Sequence, residues 1–541
     1  MNKRILFIPL DNRPCTMKLP VKTAMLAGVE MIHPPVEYLG RFQVPGDWRK
    51  VQDWLEAVPG PFDGAVISAD MSLYGGLVAS RTPRPGLEEI LSRLDRLARI
   101  LRGRRKELAR IFISSSLLRT APTYTDEALI PIIDDIIKYS SESFHLARGN
   151  EASARILTRL ERAIPSHFLK QYLETRRRNK EVNLGLLRLL REGIADTLLF
   201  GIDDSKTTGI NILEREDLEG QILEGGLGHK AHVVPGTDES SSLLLTRLLT
   251  EATGIAPSFM PVYSCERGKK TVPRYEDRSF EEIIRLHARV AGTPLASTPE
   301  EAGFILFAHV PDGCQKEAAT QRFQLFMKDQ VMMSASMIGS YVDDGMRVSL
   351  ADVYYANGAD RFLMEALAAR VSLLELCGFA GWNTAGNTIG TAITHAAVLE
   401  IARSLAESEK ERQRISRAHA RLMLERIADD WLYQSEVRQD ATIEALARGV
   451  SIFHLDSHLS YFKNLVQLAL KKKIMEFFDS CAAACCRRNG LGKPRNIRID
   501  LPWDRLFEVD VDVELQEFPT STPREDPAGA GCIAPLEKTP R

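Results

Sequence analysis

The chain has 541 residues and a mass of 60.5 kDa, room for about three or four compact units at roughly 100–200 residues each, so one small domain is excluded. Apolar residues make up 44 % and charged residues 26 %, a balance that buries a sizeable core and excludes disorder throughout. Lys plus Arg total 70 against 72 Asp plus Glu, a formal charge of −2, so no global field attracts nucleic acid or anionic lipid.

Met1–Arg4 and the apolar residues after it start like a signal peptide, but the stretch stops at Asp11 and no small-residue cleavage site follows. It reads as a first β-strand. Further short apolar runs, each followed by a helical pattern, predict strands at Val29–Ile32, Ala65–Ser68, Ile111–Ser114, Thr197–Gly201 and Ala231–Val234 after the first at Ile5–Leu10. Four more are predicted at Met260–Tyr263, Phe304–Ala308, Met346–Leu350 and Cys377–Ala380. Strands covered on both faces by crossover helices lose the two-residue alternation and read as continuous apolar segments. The predicted fold class is therefore α/β: tandem open parallel-sheet (Rossmann-like) domains with a C-terminal helical region. The alternative is an elaborated (β/α)8 barrel, against which stand the number of strands and the helical stretch from about Ser140 to Arg191.

From about Ile401 to Lys473 the chain is helical and charged, after which Asn496–Leu501 and Glu508–Leu515 alternate apolar and polar residues, as a half-exposed antiparallel pair would. Pro519–Arg541 has five prolines and few large apolar groups, the composition of a flexible tail. The expected organisation is residues 1–255 as a first α/β domain with a helical insertion at about 120–191, residues 256–400 as a second, residues 401–518 as helices plus hairpin, and 519–541 as tail.

No stretch of 18 apolar residues predicts a spanning helix. Cys15, Cys265, Cys314, Cys377 and Cys532 are scattered, and Cys481, Cys485 and Cys486 lack a CxxC pair or adjacent His, so reduced thiols in a cytoplasmic protein are expected, without a zinc site. His454 and His458 lack the Glu of an HExxH motif, and His232 and His309 read as satisfied structural histidines. The basic runs Arg102–Lys106, Arg176–Lys180 and Lys471–Lys473 read as solvated helix faces, so neither nucleic acid nor membrane is an expected partner.

Ligands of open α/β sheets bind beyond the carboxyl ends of the strands, and these exits are polar here: Asp11-Asn12-Arg13, Asp70 with Tyr74, Asp203-Asp204, Asp238-Glu239, and Trp382-Asn383-Thr384 with Asn387. Around them lie LDNRP (Leu10–Pro14), SADMSLYGGLVASR (Ser68–Arg81), GIDDSKTTGIN (Gly201–Asn211), GTDE (Gly236–Glu239), YANGAD (Tyr355–Asp360) and GWNTAGNTIG (Gly381–Gly390). In these motifs the chain resembles an uncharacterised bacterial family, domain of unknown function 4127, over about its first 400 residues. The resemblance implies no activity.

Plainer roles stand beside the chemical ones. Asp238 and Glu239 precede a helical pattern and suit its N-terminal cap, as does Asp360, while Asn357-Gly358 reads as a turn and Asn383-Thr384 as a cap before Ala385. Asp203-Asp204 carries more information, because acids leaving a buried strand need compensation, and in a continued strand only one of them would enter the cleft. Arg13 offers a planar fork of donors for a carboxylate or phosphate.

The expected function is a hydrolase of glycosides or sugar derivatives with an acidic cleft, because carboxylates in unlike environments divide the roles of acid and base. Asp203 and Asp204 are the first catalytic candidates, with Asp70 and Glu239 as partner carboxylates. Asp11, Asn12, Arg13, Tyr74, Trp382, Asn383 and Asn387 would bind the substrate, a small molecule of carbohydrate type. The alternatives are a Mg²⁺- or Mn²⁺-dependent isomerase or phosphoester enzyme, using the same acids as oxygen ligands, and a non-catalytic sugar or metabolite sensor.

Overall fold

A computed structural model describes residues 3–123, 130–323 and 328–518, so the expected tail lies outside the described residues. Strands β1 (Lys3–Ile8), β2 (Val29–Ile32), β3 (Gly64–Ser68), β4 (Ile111–Leu117), β5 (Thr197–Ile202) and β6 (Ala231–Pro235) form one parallel sheet in the order β2-β1-β3-β4-β5-β6. β3 to β6 are buried at every position, which is why their sequences run apolar without alternation. The order reverses between β1 and β3, the kind of switch point at which neighbouring connections diverge and leave a crevice.

The chain continues through β7 (Phe259–Tyr263), β8 (Phe304–His309), β9 (Lys316–Glu317), β10 (Val348–Asp352), β11 (Tyr355–Ala356) and β12 (Gly378–Ala380). β12, β10, β8 and β7 form a second parallel sheet in that order, and the short β9 and β11 pair separately. All ten predicted strands are therefore present, in a mixed α/β fold with two open sheets and not the single barrel of the alternative.

One apolar core joins the sheets: Phe7, Phe112 and Leu199 from the first and Phe304, Leu306 and Ala351 from the second meet helices Ser240–Thr253, Phe280–Ala291 and Ala385–Ser404. Ala385–Ser404 is buried almost all round, consistent with its run of Ala, Ile, Val and Leu, and lacks the polar face of a surface helix. Three helices, Ile130–Ala147, Ala152–Ala163 and Ser166–Arg191, fill the expected insertion between β4 and β5.

After Ala385–Ser404 come further helices, among them Glu409–Arg426, Arg438–Ala447 and Leu459–Phe477, and then β13 (Leu491–Asp500) and β14 (Asp510–Glu517). The hairpin is antiparallel, with Ile497 opposite Val513 and Ile499 opposite Val511, and it buries Val511, Val513 and Leu515 against the helices. No helix among the described residues is long and apolar enough to cross a membrane.

Candidate functional site

The exits of both sheets open into one cleft of about 490 Å³. Arg13 reaches it from β1, Arg81 from beyond β3, Arg119 from β4, Asp203 and Asp204 from β5, and Thr237 and Asp238 from β6. Tyr275, Glu317, Asn357, Asn383 and Asn387 close the opposite side, and Arg438, Trp503, Arg505 and Phe507 come from the C-terminal region.

Arg13 ties the two halves together. Its backbone N–H donates to Asp11 Oδ1 at 3.0 Å, which closes an Asx turn, and its side chain also clasps Asp11, with Nη2 2.8 Å from Oδ2. The other edge of the guanidinium donates to Asp238 at 2.9 and 2.5 Å. This is the bidentate geometry that a planar fork allows. Asn383 adds an N–H to Asp238 at 2.8 Å, while Asn387 Oδ1 accepts from the backbone N–H groups of Thr237 and Asp238 at 3.3 and 3.1 Å. Burial opposes the ionised form of Asp11, but Arg13 and Thr16 outweigh it and hold the carboxyl below its usual value. At Asp238 burial prevails over Arg13, and the carboxyl is pushed up to about 6. On the far side of Arg13 lies the Trp503 ring, 5.0 Å away, whose indole N–H donates to Asn12 Oδ1 at 2.8 Å.

Asp203 and Asp204 lie beyond the end of β5 at Ile202, so strand alternation does not separate them and both line the cleft. Their surroundings differ. Asp203 is buried, accepts the Asp204 backbone N–H at 3.1 Å, and has Arg81 Nη2 2.6 Å from its Oδ2 in an ion pair outside hydrogen-bond geometry. Asp204 leaves 41 % of its side chain open to the cleft and meets Arg119 only at 3.4 Å. The protein packed around it and then the charge of Asp203 raise its value, against the pull of Arg119 and Arg81.

Backbone strain collects in the same cleft. Tyr275, Asn357 and Asn383 have φ values of 66°, 64° and 76°, and they are three of the five non-glycine residues with positive φ among those described. Asn tolerates this conformation, so the expected turn at Asn357 is present, whereas a bulky Tyr there is an outlier. Each is held by partners: the Tyr275 hydroxyl and the Asn357 amide donate to the two Glu317 oxygens at 2.5 and 2.9 Å, and the Asn383 carbonyl accepts from Asn357 N–H at 3.0 Å. Farther back, residues Ile427–Val437 form a π-helical segment that presents Asp429 and Asp430 to Arg426 at 2.9 and 3.0 Å. Asp430 accepts Gly381 N–H at 2.9 Å, which anchors the loop that carries Asn383, and Arg438 follows where the π-helical turn ends.

Of the predicted site residues, Arg13, Asp203, Asp204, Asn383 and Asn387 line the cleft, and Asp11 and Asn12 support it from behind through Arg13 and Trp503. Asp70 does not line it. The helix after β3 begins at Ala69 and turns Asp70 under β4, where Ser116 donates to it from N–H and hydroxyl at 3.0 and 2.5 Å. Burial pushes that carboxyl up to about 6. Glu239 does not line the cleft either, because its carboxylate packs against buried His287 Nε2 at 2.9 Å. Tyr74 lies buried with the Arg178 guanidinium 4.7 Å from its ring, and Trp382 sits 5.5 Å from the Phe507 ring, so neither expected aromatic lines the cleft, and Phe453 and Phe507 do.

Asp360 caps the following helix by accepting Phe362 N–H, as expected, whereas Glu239 and Thr384 precede their helices without a side-chain cap bond. His232 and His309 are buried outside the cleft, His309 between Asp360 and Ser334.

The expectation of an acidic cleft is corrected. Arg13, Arg81, Arg119, Arg274, Arg438 and Arg505 line it against four carboxylates, Asp203, Asp204, Asp238 and Glu317. Among the described residues, no three or more His, Cys, Asp or Glu side chains are grouped to hold a metal ion. Arg81 and Asn357 lay in motifs already quoted, and Arg119 follows β4, but nothing local to Arg438, Trp503 or Arg505 marked them as parts of a site.

A sequence model of the family described as Protein of unknown function (DUF4127) matches residues 5–512, and the chain belongs to that family. No curated protein and no solved structure matches the chain.

Proposed function

We propose, since the family carries no assigned activity, that the protein is a hydrolase of glycosides or related sugar derivatives. The observation that carries this reading is the Asp203–Asp204 pair: two adjacent carboxylates, one charge-paired by Arg81 and one open to the cleft with a raised value. Such a pair divides the labour of glycosidic cleavage. Asp204 donates its proton to the leaving oxygen as the glycosidic bond breaks, Asp203 faces the positive charge that develops on the sugar ring, and a water adds its oxygen to the anomeric carbon and returns a proton to Asp204. Asn357, Asn383 and Tyr275, each fixed by a hydrogen bond, supply polar groups for hydroxyls, and Phe507 supplies an apolar face for the ring.

The reading with a divalent cation has less support, because the lining arginines repel a cation and leave the acids already paired. A panel of aryl glycosides is the test. Asp203→Asn and Asp204→Asn are each expected to lower turnover at least about 100-fold, the scale of a lost acid–base group, and chelation is expected to leave it unchanged. Turnover that survives both substitutions overturns the assignment.

A further inference from the structure

With Asp11 behind Arg13 and Glu508 beside Arg505 counted, six carboxylates meet the six arginines of the cleft, but unevenly. Arg13 takes Asp238, Arg81 takes Asp203, Arg274 lies 3.2 Å from Glu317, and Arg505 is clasped by Glu508 just outside. Two guanidinium groups are left less well matched. Arg438 has, among the described residues, only the neutral Gln434 Oε1 at 3.0 Å and the Phe507 ring at 4.7 Å. Arg119 donates to the Ala121 carbonyl at 3.0 Å and the Thr123 hydroxyl at 2.9 Å, and reaches a carboxylate only at 3.4 Å, in Asp204.

A cation set into protein without a close counter-charge is costly. Burial first, with Arg81 adding to it, lowers the value of Arg119 against the pull of Asp203 and Asp204, and burial lowers that of Arg438 against Glu508 and Glu317, with Arg505 acting downward on both. Polar atoms on the same wall also lack partners: Arg81 Nε and the hydroxyl of Thr237, a residue only 6 % exposed. A neutral sugar would leave Arg438 without a counter-charge.

We infer that the cleft is built for an anionic sugar derivative, whose oxyanion, a carboxylate or a phosphate, seats against Arg119 and Arg438, which line it together with Arg505. The sugar part of this inference rests on the proposed hydrolase; the anion part rests on Arg438, which no carboxylate reaches, and on the loosely paired Arg119. An oxyanion there meets planar donor forks, the geometry that binds carboxylate and phosphate bidentately.

The test is the thermal unfolding midpoint of the full chain at constant ionic strength, titrated with glucose, glucuronate, glucose 6-phosphate and inorganic phosphate. At least one of the three anions is expected to raise the midpoint at concentrations where glucose does not, with glucuronate marking a carboxylate site and the phosphates a phosphate site. Arg438→Gln, or Arg119→Gln where the first variant does not fold, is expected to weaken the effective anion at least tenfold. Three inactive anions, an equal effect of glucose, or a folded variant that binds as the wild type does would overturn the inference. Anion binding without cleavage of any aryl glycoside leaves it standing and defeats the hydrolase; cleavage of neutral glycosides with no anion effect does the reverse.

Discussion

Arg13 is the residue on which the two sides of the cleft depend, and Arg13→Leu separates them. The substitution keeps an apolar side chain against Trp503 but leaves Asp11 and Asp238, both buried, without their shared cation. Removing one member of a buried ion pair costs about 3–5 kcal/mol, because the remaining charge has neither water nor partner. Asp238 can escape by protonation. Its value already stands at about 6 against the usual 3.8, and losing Arg13 removes the main force that pulls it down.

A carboxyl whose folded value is raised leaves the protein unpenalised below 3.8 and costs stability as pH rises through the folded value. The loss in Arg13→Leu is therefore expected to be larger at pH 8 than at pH 5. In that background Asp238→Asn should return about 1–2 kcal/mol, a coupling on the scale of directly contacting groups. Urea unfolding followed by tryptophan fluorescence reads the effect, since Trp503 lies 5.0 Å from the guanidinium. A loss below about 1 kcal/mol, or one equal at pH 5 and pH 8, would refute the argument, because it would mean that the carboxylates find other compensation.

Asp70, held at about 6 by burial, costs about 3 kcal/mol when ionised, so wild-type stability should fall as pH rises from 3.8 through about 6. Asp70→Asn should remove that fall; thermal midpoints of both proteins at pH 4.5 and pH 7.5 with the same pH dependence would count against it. Asn387→Ala removes the acceptor of the Thr237 and Asp238 backbone N–H groups and should lower stability by about 1–3 kcal/mol. Denaturant midpoints displaced by less than about 0.5 kcal/mol would show that those groups find another partner.

Much of the scaffold is legible in the residues alone. A strand covered on both faces must be apolar at successive positions, so Ile5–Ile8, Ala65–Ser68 and Phe304–Ala308 announce themselves locally. The two-residue β9 and β11 are too short to carry such a pattern. Part of the cleft was legible for a related reason, since a parallel sheet delivers its exits to one edge and Arg13, Asp203, Asp204 and Asn383 all leave strands there.

Exit position alone does not say where a side chain ends. Asp70 and Glu239 leave strands as Asp203 does, yet the helix beginning at Ala69 turns one toward Ser116, and His287 captures the other. Arg438, Trp503 and Arg505 lie more than 230 residues from Asp203, and only the packing of the π-helical segment and the hairpin brings them over the cleft. Their arrival takes the lining from four arginines against four carboxylates to six against four. Hydrophobic periodicity is written in neighbouring residues, so the sequence by itself determined the strands and their polar exits. The charge that a pocket presents is a sum over side chains from distant parts of the chain, at distances set by packing, and that sum only the tertiary structure decided.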